Sequence, residues 1–225
     1  MIFDCDGVLV DSELISNTVL AGLLSDAGLP TTLELCLRDY RGRSIESVVA
    51  LAAERHGEPL PADLAERYYA ESKARFAREV EPIPGVIAAL EEIALPTCVA
   101  SSGPHHKMEV TLRRAGLWER FEGAIFSATE VEQGKPAPDL FLHAAQAMGF
   151  HPASTAVVED SVPGVQAARA AGMRALAFAR ETDAAALAAA GGEVFDDMAR
   201  LPDLLNAQGR GRWTPPPAGR GVGQP

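Results

Sequence analysis

From Pro82 onward the chain alternates short apolar runs with helix-forming stretches, and this rhythm limits the fold more than any other feature of the sequence. Residues 96–100 (PTCVA), 124–127 (AIFS), 154–158 (STAVV) and 174–179 (RALAFA) read as strands too short and too apolar to keep one face in water. Helical stretches follow from about residue 104, over 138–148 and over 162–172. Short buried strands alternating with helices predict a parallel sheet covered by helices on both faces. Residues 1–5 read as one more apolar strand, ending at Asp4.

Between these two parts the texture changes. Leu14, Thr18, Leu20, Leu23 and Leu24 recur at helical spacing, and Gly28 to Pro30 stops that helix. Ile45, Val48, Val49 and Ala52 repeat the pattern, and Leu64 to Arg78 supplies another long helix. The fold class predicted is therefore α/β: a Rossmann-like parallel sheet core from residues 1–12 and 82–206, with an all-helical cap inserted over 13–81. Residues 207–225, rich in Gly, Pro and Arg without periodicity, are predicted to be a disordered tail.

Composition narrows the partners. A net charge of −11 argues against nucleic acid, since binding a phosphate backbone needs a basic face. No run approaches the ~20 apolar residues of a membrane span, and the N-terminus lacks the basic region of a signal peptide. A cytoplasmic location and a small-molecule partner are the expectations. Cys5, Cys36 and Cys98 are odd in number and lie in apolar stretches, so they are expected as buried reduced thiols.

Polar clusters fall at the carboxyl ends of the predicted strands, where open α/β sheets bind ligands. Asp4 and Asp6 flank Cys5 ahead of Gly7, and two carboxylates spaced in this way suit a turn or a hard cation. Glu159 and Asp160 follow the strand 154–158, an arrangement that costs energy beside Asp4 and Asp6 unless a cation gathers the charges, though Asp160 or Ser161 could equally cap the next helix. Ser101 and Ser102 end another strand, where hydroxyls and main-chain N–H groups can cap a helix or seat a phosphate. Lys135, between Gly134 and Pro136, is either an exposed loop charge or an offset to negative charge at the nucleophile.

The order D-x-D-G-x-L-x-D-S, apolar-Ser, GKPAPD and V-E-D-S resembles the haloacid dehalogenase superfamily over residues 1–205, in its phosphatase and phosphomutase branch. The resemblance implies Asp4 as nucleophile, Asp6 as general acid and base, and Ser101, Ser102 and Lys135 as phosphate-binding residues. It further implies Mg²⁺ held by Asp4, the Asp6 carbonyl, Asp160 and Glu159, an aspartyl-phosphate intermediate, and a helical cap that closes over a small phosphorylated substrate.

Segments 101–108 and 141–148 and the Arg41-Gly42 spacing are similar to those of sugar-acid phosphatases in that family, which points to sugar or sugar-acid phosphates such as 6-phosphogluconate. Arg41, Arg43, His105 and Lys73 are candidate substrate contacts, each with a solvated surface charge as the alternative reading. The alternative enzyme is a β-phosphoglucomutase type, disfavoured because Ile45 stands near the place of that branch's distal-phosphate arginine. A true dehalogenase would need neither Asp6 nor Glu159-Asp160, and a phospho-acceptor receiver module has no helical insert after its first strand.

Overall fold

Parallel pairing of six short strands builds the larger of two sheets. The computed structural model describes residues 1–40 and 45–206. In chain order the elements begin with β1 (Ile2–Phe3), β2 (Val10–Asp11), α1 (Glu13–Asp26), α2 (Leu33–Asp39), α3 (Ile45–His56), α4 (Leu64–Glu79) and β3 (Glu81–Pro82). They continue with α5 (Val86–Glu92), β4 (Cys98–Ser101), α6 (His105–Arg114), α7 (Trp118–Phe121), β5 (Ile125–Ser127) and α8 (Asp139–Met148). The last are β6 (Ala156–Glu159), α9 (Val162–Ala170), β7 (Arg174–Phe178), α10 (Ala184–Ala189), β8 (Glu193–Phe195) and α11 (Leu201–Asn206). Among the described residues no helix is long and apolar enough to cross a membrane.

The six-stranded sheet has the order β5-β4-β1-β6-β7-β8, parallel throughout. β1 is central and is flanked by β4 and β6, with Ile2 opposite both Cys98 and Val157. The chain winds outward from β1 through β4 to β5, then returns to the other side of β1 for β6, β7 and β8. The reversal of strand order therefore lies beside β1, and the carboxyl ends of β1 and β6 flank it.

Side chains alternate across the sheet. Ile2, Cys98, Ala100, Val157, Ala175 and Ala177 join one buried cluster with Leu140 and Phe141 of α8, Val165 and Ala168 of α9 and Leu187 of α10. Phe3 points to the other face, where the Phe121 ring lies edge-on with centroids 6.1 Å apart. This is the α/β sheet with helices on both faces.

The chain divides into two compact units. One holds residues 1–9, 83–105 and the described residues from 119 on, and the other holds 10–82 and 106–118. The helical unit has its own core, in which Leu20, Leu23 and Leu24 of α1 meet Cys36, Val48, Ala52 and Leu64. Its two-stranded ribbon pairs Val10 with Pro82. Residues 106–118, placed in the sheet core by the sequence reading, group with this unit. Lys107 lies over the Phe76 ring at 5.5 Å, and Arg114 donates to the Arg78 carbonyl and to Glu81.

Eight elements escape the sequence reading: β2, α2, β3, α5, α7, α10, β8 and α11. The helix α2 is seven residues long, too short to show a period, and is held at its start by Thr32, whose side chain accepts from the Leu35 N–H. The run 184–190 is nearly all alanine, so α10 carries no polar–apolar contrast, and β8 and α11 that follow it are equally short. The tail and residues 41–44 lie outside the described residues.

Phe121 is fully buried against Phe3. Phe121→Ala is expected to destabilise the sheet unit by about 3–5 kcal/mol, seen as a lower urea midpoint at unchanged m-value.

Candidate active site

The site grows out of β1. The Asp4 N–H donates to the Val158 carbonyl at 2.9 Å, so the ladder with β6 runs one residue past the strand and fixes the Asp4 backbone. Alternation then puts Asp4 on the face of Ile2, and Glu159 on the face of Val157, which is the same face. Asp4 is 7% exposed and Glu159 is fully buried.

Lys135 reaches both carboxylates from the loop ahead of α8. Its Nζ donates to Asp4 Oδ1 at 2.7 Å and to Glu159 Oε1 at 2.5 Å, with the side chain only 6% exposed. The ammonium also lies 5.0 Å from the centroid of the Phe141 ring. The peptide bond from Lys135 to Pro136 is cis. Of the two sequence readings of Lys135, an offset to negative charge at Asp4 and an exposed loop charge, the exposed one fails: the charge is buried and held by two acids from two different strands.

Glu159 is gripped from behind as well. Its Oε2 accepts from the Ser161 N–H at 3.0 Å and from the Ser161 hydroxyl at 2.8 Å. Ser161 Oγ in turn accepts the Gly164 N–H at 3.1 Å and caps α9. The acid therefore sits at a helix start, where the macrodipole favours negative charge.

Two glycines exist for the sake of carboxylates. Gly7 has φ +76°, and a Cβ there would fall 2.1 Å from Asp160 Oδ2. A Cβ on Gly164 would fall 1.9 Å from the Glu159 carboxyl carbon. The turn expected at Gly7 is present, and it also gives Asp160 its space.

Electrostatics follow from burial. Burial pushes the Asp4 pKa up to about 7; the Lys135 charge pulls it back, and the Glu159 and Asp6 carboxylates push it further up. Burial disfavours the Lys135 charge, but Asp4 and Glu159 more than offset this and hold its pKa above the ordinary lysine range. Asp4, Glu159 and Asp160 can each bring one carboxylate oxygen within 4.8 Å of the others. Three hard oxygen donors from acids suit Mg²⁺ or Ca²⁺ and not a soft metal.

The structure thus brings together Asp4, Lys135, Glu159 and Asp160, with Asp6 close enough to act on the Asp4 charge. Ser101 ends β4, the strand beside β1, and is 1% exposed. Ser102 is exposed. His105 opens α6 with Nε2 3.1 Å from Glu130 Oε1, and it is half exposed. Lys73 is exposed on α4 in the helical unit. Arg41 and Arg43 lie outside the described residues. All three cysteines are buried thiols outside any disulfide, and burial pushes Cys36 and Cys98 up to about 11 and about 12.

Of the residues that support these groups, the sequence reading names Ser161 as a candidate helix cap, which it is, and misses the others. Gly164 carries no signal of its own, because its reason is a side chain arriving from another strand. Ser127 and Glu130 do carry one: the Ser-x-x-Glu spacing forms a capping box, in which Ser127 N–H donates to Glu130 Oε2 at 2.7 Å.

The fold and this acid–lysine cluster place the chain in a known class. Residues 1–172 match the haloacid dehalogenase-like hydrolase family, and the chain belongs to it as an enzyme. It is 32% identical over 208 residues to the 6-phosphogluconate phosphatase of Escherichia coli K12, an alignment covering 92% of this chain and 94% of that one. A haloacid dehalogenase-like protein of Agrobacterium tumefaciens superposes with TM-score 0.83 at 36% identity, covering 92% of this chain and 97% of that structure. A family hydrolase of Deinococcus radiodurans, solved with bound phosphate and sodium, superposes with TM-score 0.79 at 32% identity, covering 92% and 95%.

An alanine in a helix usually gains stability over glycine by ~0.5–1 kcal/mol. At Gly164 the sign should reverse, since the new methyl must displace the buried Glu159 carboxylate. Gly164→Ala is expected to cost about 1–3 kcal/mol by denaturant titration, the cost of overpacking a closed site.

Proposed function

We propose that this enzyme is a Mg²⁺-dependent phosphatase of small phosphate esters, sugar or sugar-acid phosphates such as 6-phosphogluconate, with Asp4 as its nucleophile. The observation that carries this reading is the buried Asp4 carboxylate at the carboxyl end of the central strand, with the Lys135 ammonium on one of its oxygens at 2.7 Å. Lys135 occupies Oδ1 and leaves Oδ2 to attack phosphorus. Similarity to a 6-phosphogluconate phosphatase, and to a hydrolase that holds phosphate, supports the substrate class.

In the first displacement Asp4 Oδ2 forms a bond to phosphorus while the bond to the ester oxygen breaks. Asp6 gives its proton to the departing alkoxide, and the alcohol leaves an aspartyl-phosphate. In the second, water attacks phosphorus, Asp6 takes the water's proton, and the Asp4–phosphorus bond breaks to release phosphate. Lys135 offsets charge on the phosphoryl oxygens throughout, and Ser101 donates to one of them. Asp4 and Asp160 would hold Mg²⁺, together with the main-chain carbonyl of Asp6. Glu159 belongs to the same cluster, but its oxygens are engaged by Lys135 and Ser161, so its part is to orient Lys135 and to add negative charge. When bound, the metal supplies positive charge to the transferring phosphoryl group.

The test is Mg²⁺-dependent phosphate release from a panel including 6-phosphogluconate and β-glucose 1-phosphate, with glucose 6-phosphate followed in parallel. Phosphate release that EDTA abolishes is expected. Glucose 6-phosphate formed without free phosphate would make the enzyme a mutase. Asp4→Asn should lower kcat by at least about 10³-fold with an unchanged circular dichroism spectrum.

Mg²⁺ binding should also release protons. A cation favours the Asp4 carboxylate, whose pKa is about 7 in the metal-free protein, so binding below that pH displaces a proton. Apparent affinity should therefore rise with pH up to about 7 and level off above it. Titration calorimetry in two buffers of different ionisation enthalpy reads the proton count directly, and Asp4→Asn should remove it.

A further inference from the structure

An anion seat needs donors, and a serine hydroxyl can donate or accept. In this protein the turn that follows Ser101 is bonded to a residue of a second strand. Ser127 ends β5 directly opposite Ser101 in the ladder and is fully buried. Its Oγ lies 2.9 Å from the carbonyl oxygen of Gly103, which can only accept, so the single Ser127 proton goes there. The Thr129 N–H and hydroxyl, at 3.2 and 2.9 Å, must then donate to Ser127 Oγ. Gly103 in turn donates its own N–H to Ser101 Oγ at 3.1 Å.

The bonds run one way, from Thr129 through Ser127 to the Gly103 carbonyl, while the Gly103 N–H feeds Ser101. The Gly103 N–H takes one lone pair of Ser101 Oγ, and among the described residues no group accepts the Ser101 proton, which is left for an outside acceptor. The same turn is tied a second time: Glu130 accepts the Ser127 N–H on one oxygen and meets His105, at the start of α6, on the other. Residues 101–104 need this support, because Pro104 brings no N–H of its own to the turn.

We propose that Ser127 is a positioning residue for the phosphoryl seat, holding the Gly103 turn so that Ser101 presents its hydroxyl as a donor to the substrate anion. This rests on the phosphatase reading above, and it adds a residue that touches neither substrate nor metal.

The experiment measures binding of inorganic phosphate to the Mg²⁺-loaded enzyme, together with steady-state hydrolysis of the sugar-acid phosphate named above, resolved into KM and kcat. Ser127→Ala and the near-isosteric Ser127→Cys are each expected to raise the phosphate Kd and the KM about tenfold, with kcat changed less than about threefold. Leu187→Ala, a fully buried core change in α10, serves as the control. It should lower the melting temperature and leave the phosphate Kd as in the wild type. Unchanged Kd and KM in the Ser127 variants would overturn the proposal, and so would an equal rise in Leu187→Ala. A wild-type enzyme that neither binds phosphate nor hydrolyses any ester would instead remove the phosphatase reading itself, and this proposal with it.

Discussion

One buried ammonium organises the active centre. Lys135 stands between Asp4 and Glu159, two acids that the parallel ladder places on the same face of neighbouring strands. Burial favours the neutral Asp4 carboxyl, and the Lys135 charge opposes it. With one lysine for two acids, and Asp6 and Asp160 nearby, the centre keeps an excess of negative charge. That excess is what makes a divalent cation fit, while burial, with the Glu159 and Asp6 charges adding to it, is why the Asp4 pKa stands near 7 despite its ion pair.

The surrounding backbone is shaped to this cluster. Gly7 and Gly164 leave out the side-chain atoms that would occupy the space of Asp160 and Glu159. Ser161 caps α9 while holding the far oxygen of Glu159, so a helix start and a buried acid share one hydroxyl. The Ser127 network does for the Ser101 turn what Ser161 does for Glu159: a hydroxyl that is itself bonded holds the neighbouring group in place. Substitution of such supports costs activity through geometry, because each group they hold has a direction as well as a position.

Family membership and the local chemistry agree. A receiver-type module has no counterpart to the helical unit, which here has a separate core of four helices. An acidic cluster able to hold a cation is needless in a dehalogenation and useful in phosphoryl transfer. The buried thiols, with raised pKa values at Cys36 and Cys98, have the character of packing residues.

Much of this was legible in the sequence. Strand–helix alternation, the helical insert and the residues Asp4, Asp6, Glu159 and Asp160 are local signals, because a strand's apolar run and the polar residues that follow it are adjacent in the chain, and Lys135 is marked by the Gly and Pro on either side of it. The short elements α2, α10 and β8 were hidden, since seven residues or an alanine run show no period. That Lys135 is a buried bridge and not a loop charge, that Glu159 is held from behind by Ser161, that Gly164 must be glycine and that Ser127 faces Ser101 were decided by tertiary structure. Each depends on where one strand's side chain meets another's, and strand order and register join residues far apart in the chain, which no local pattern encodes.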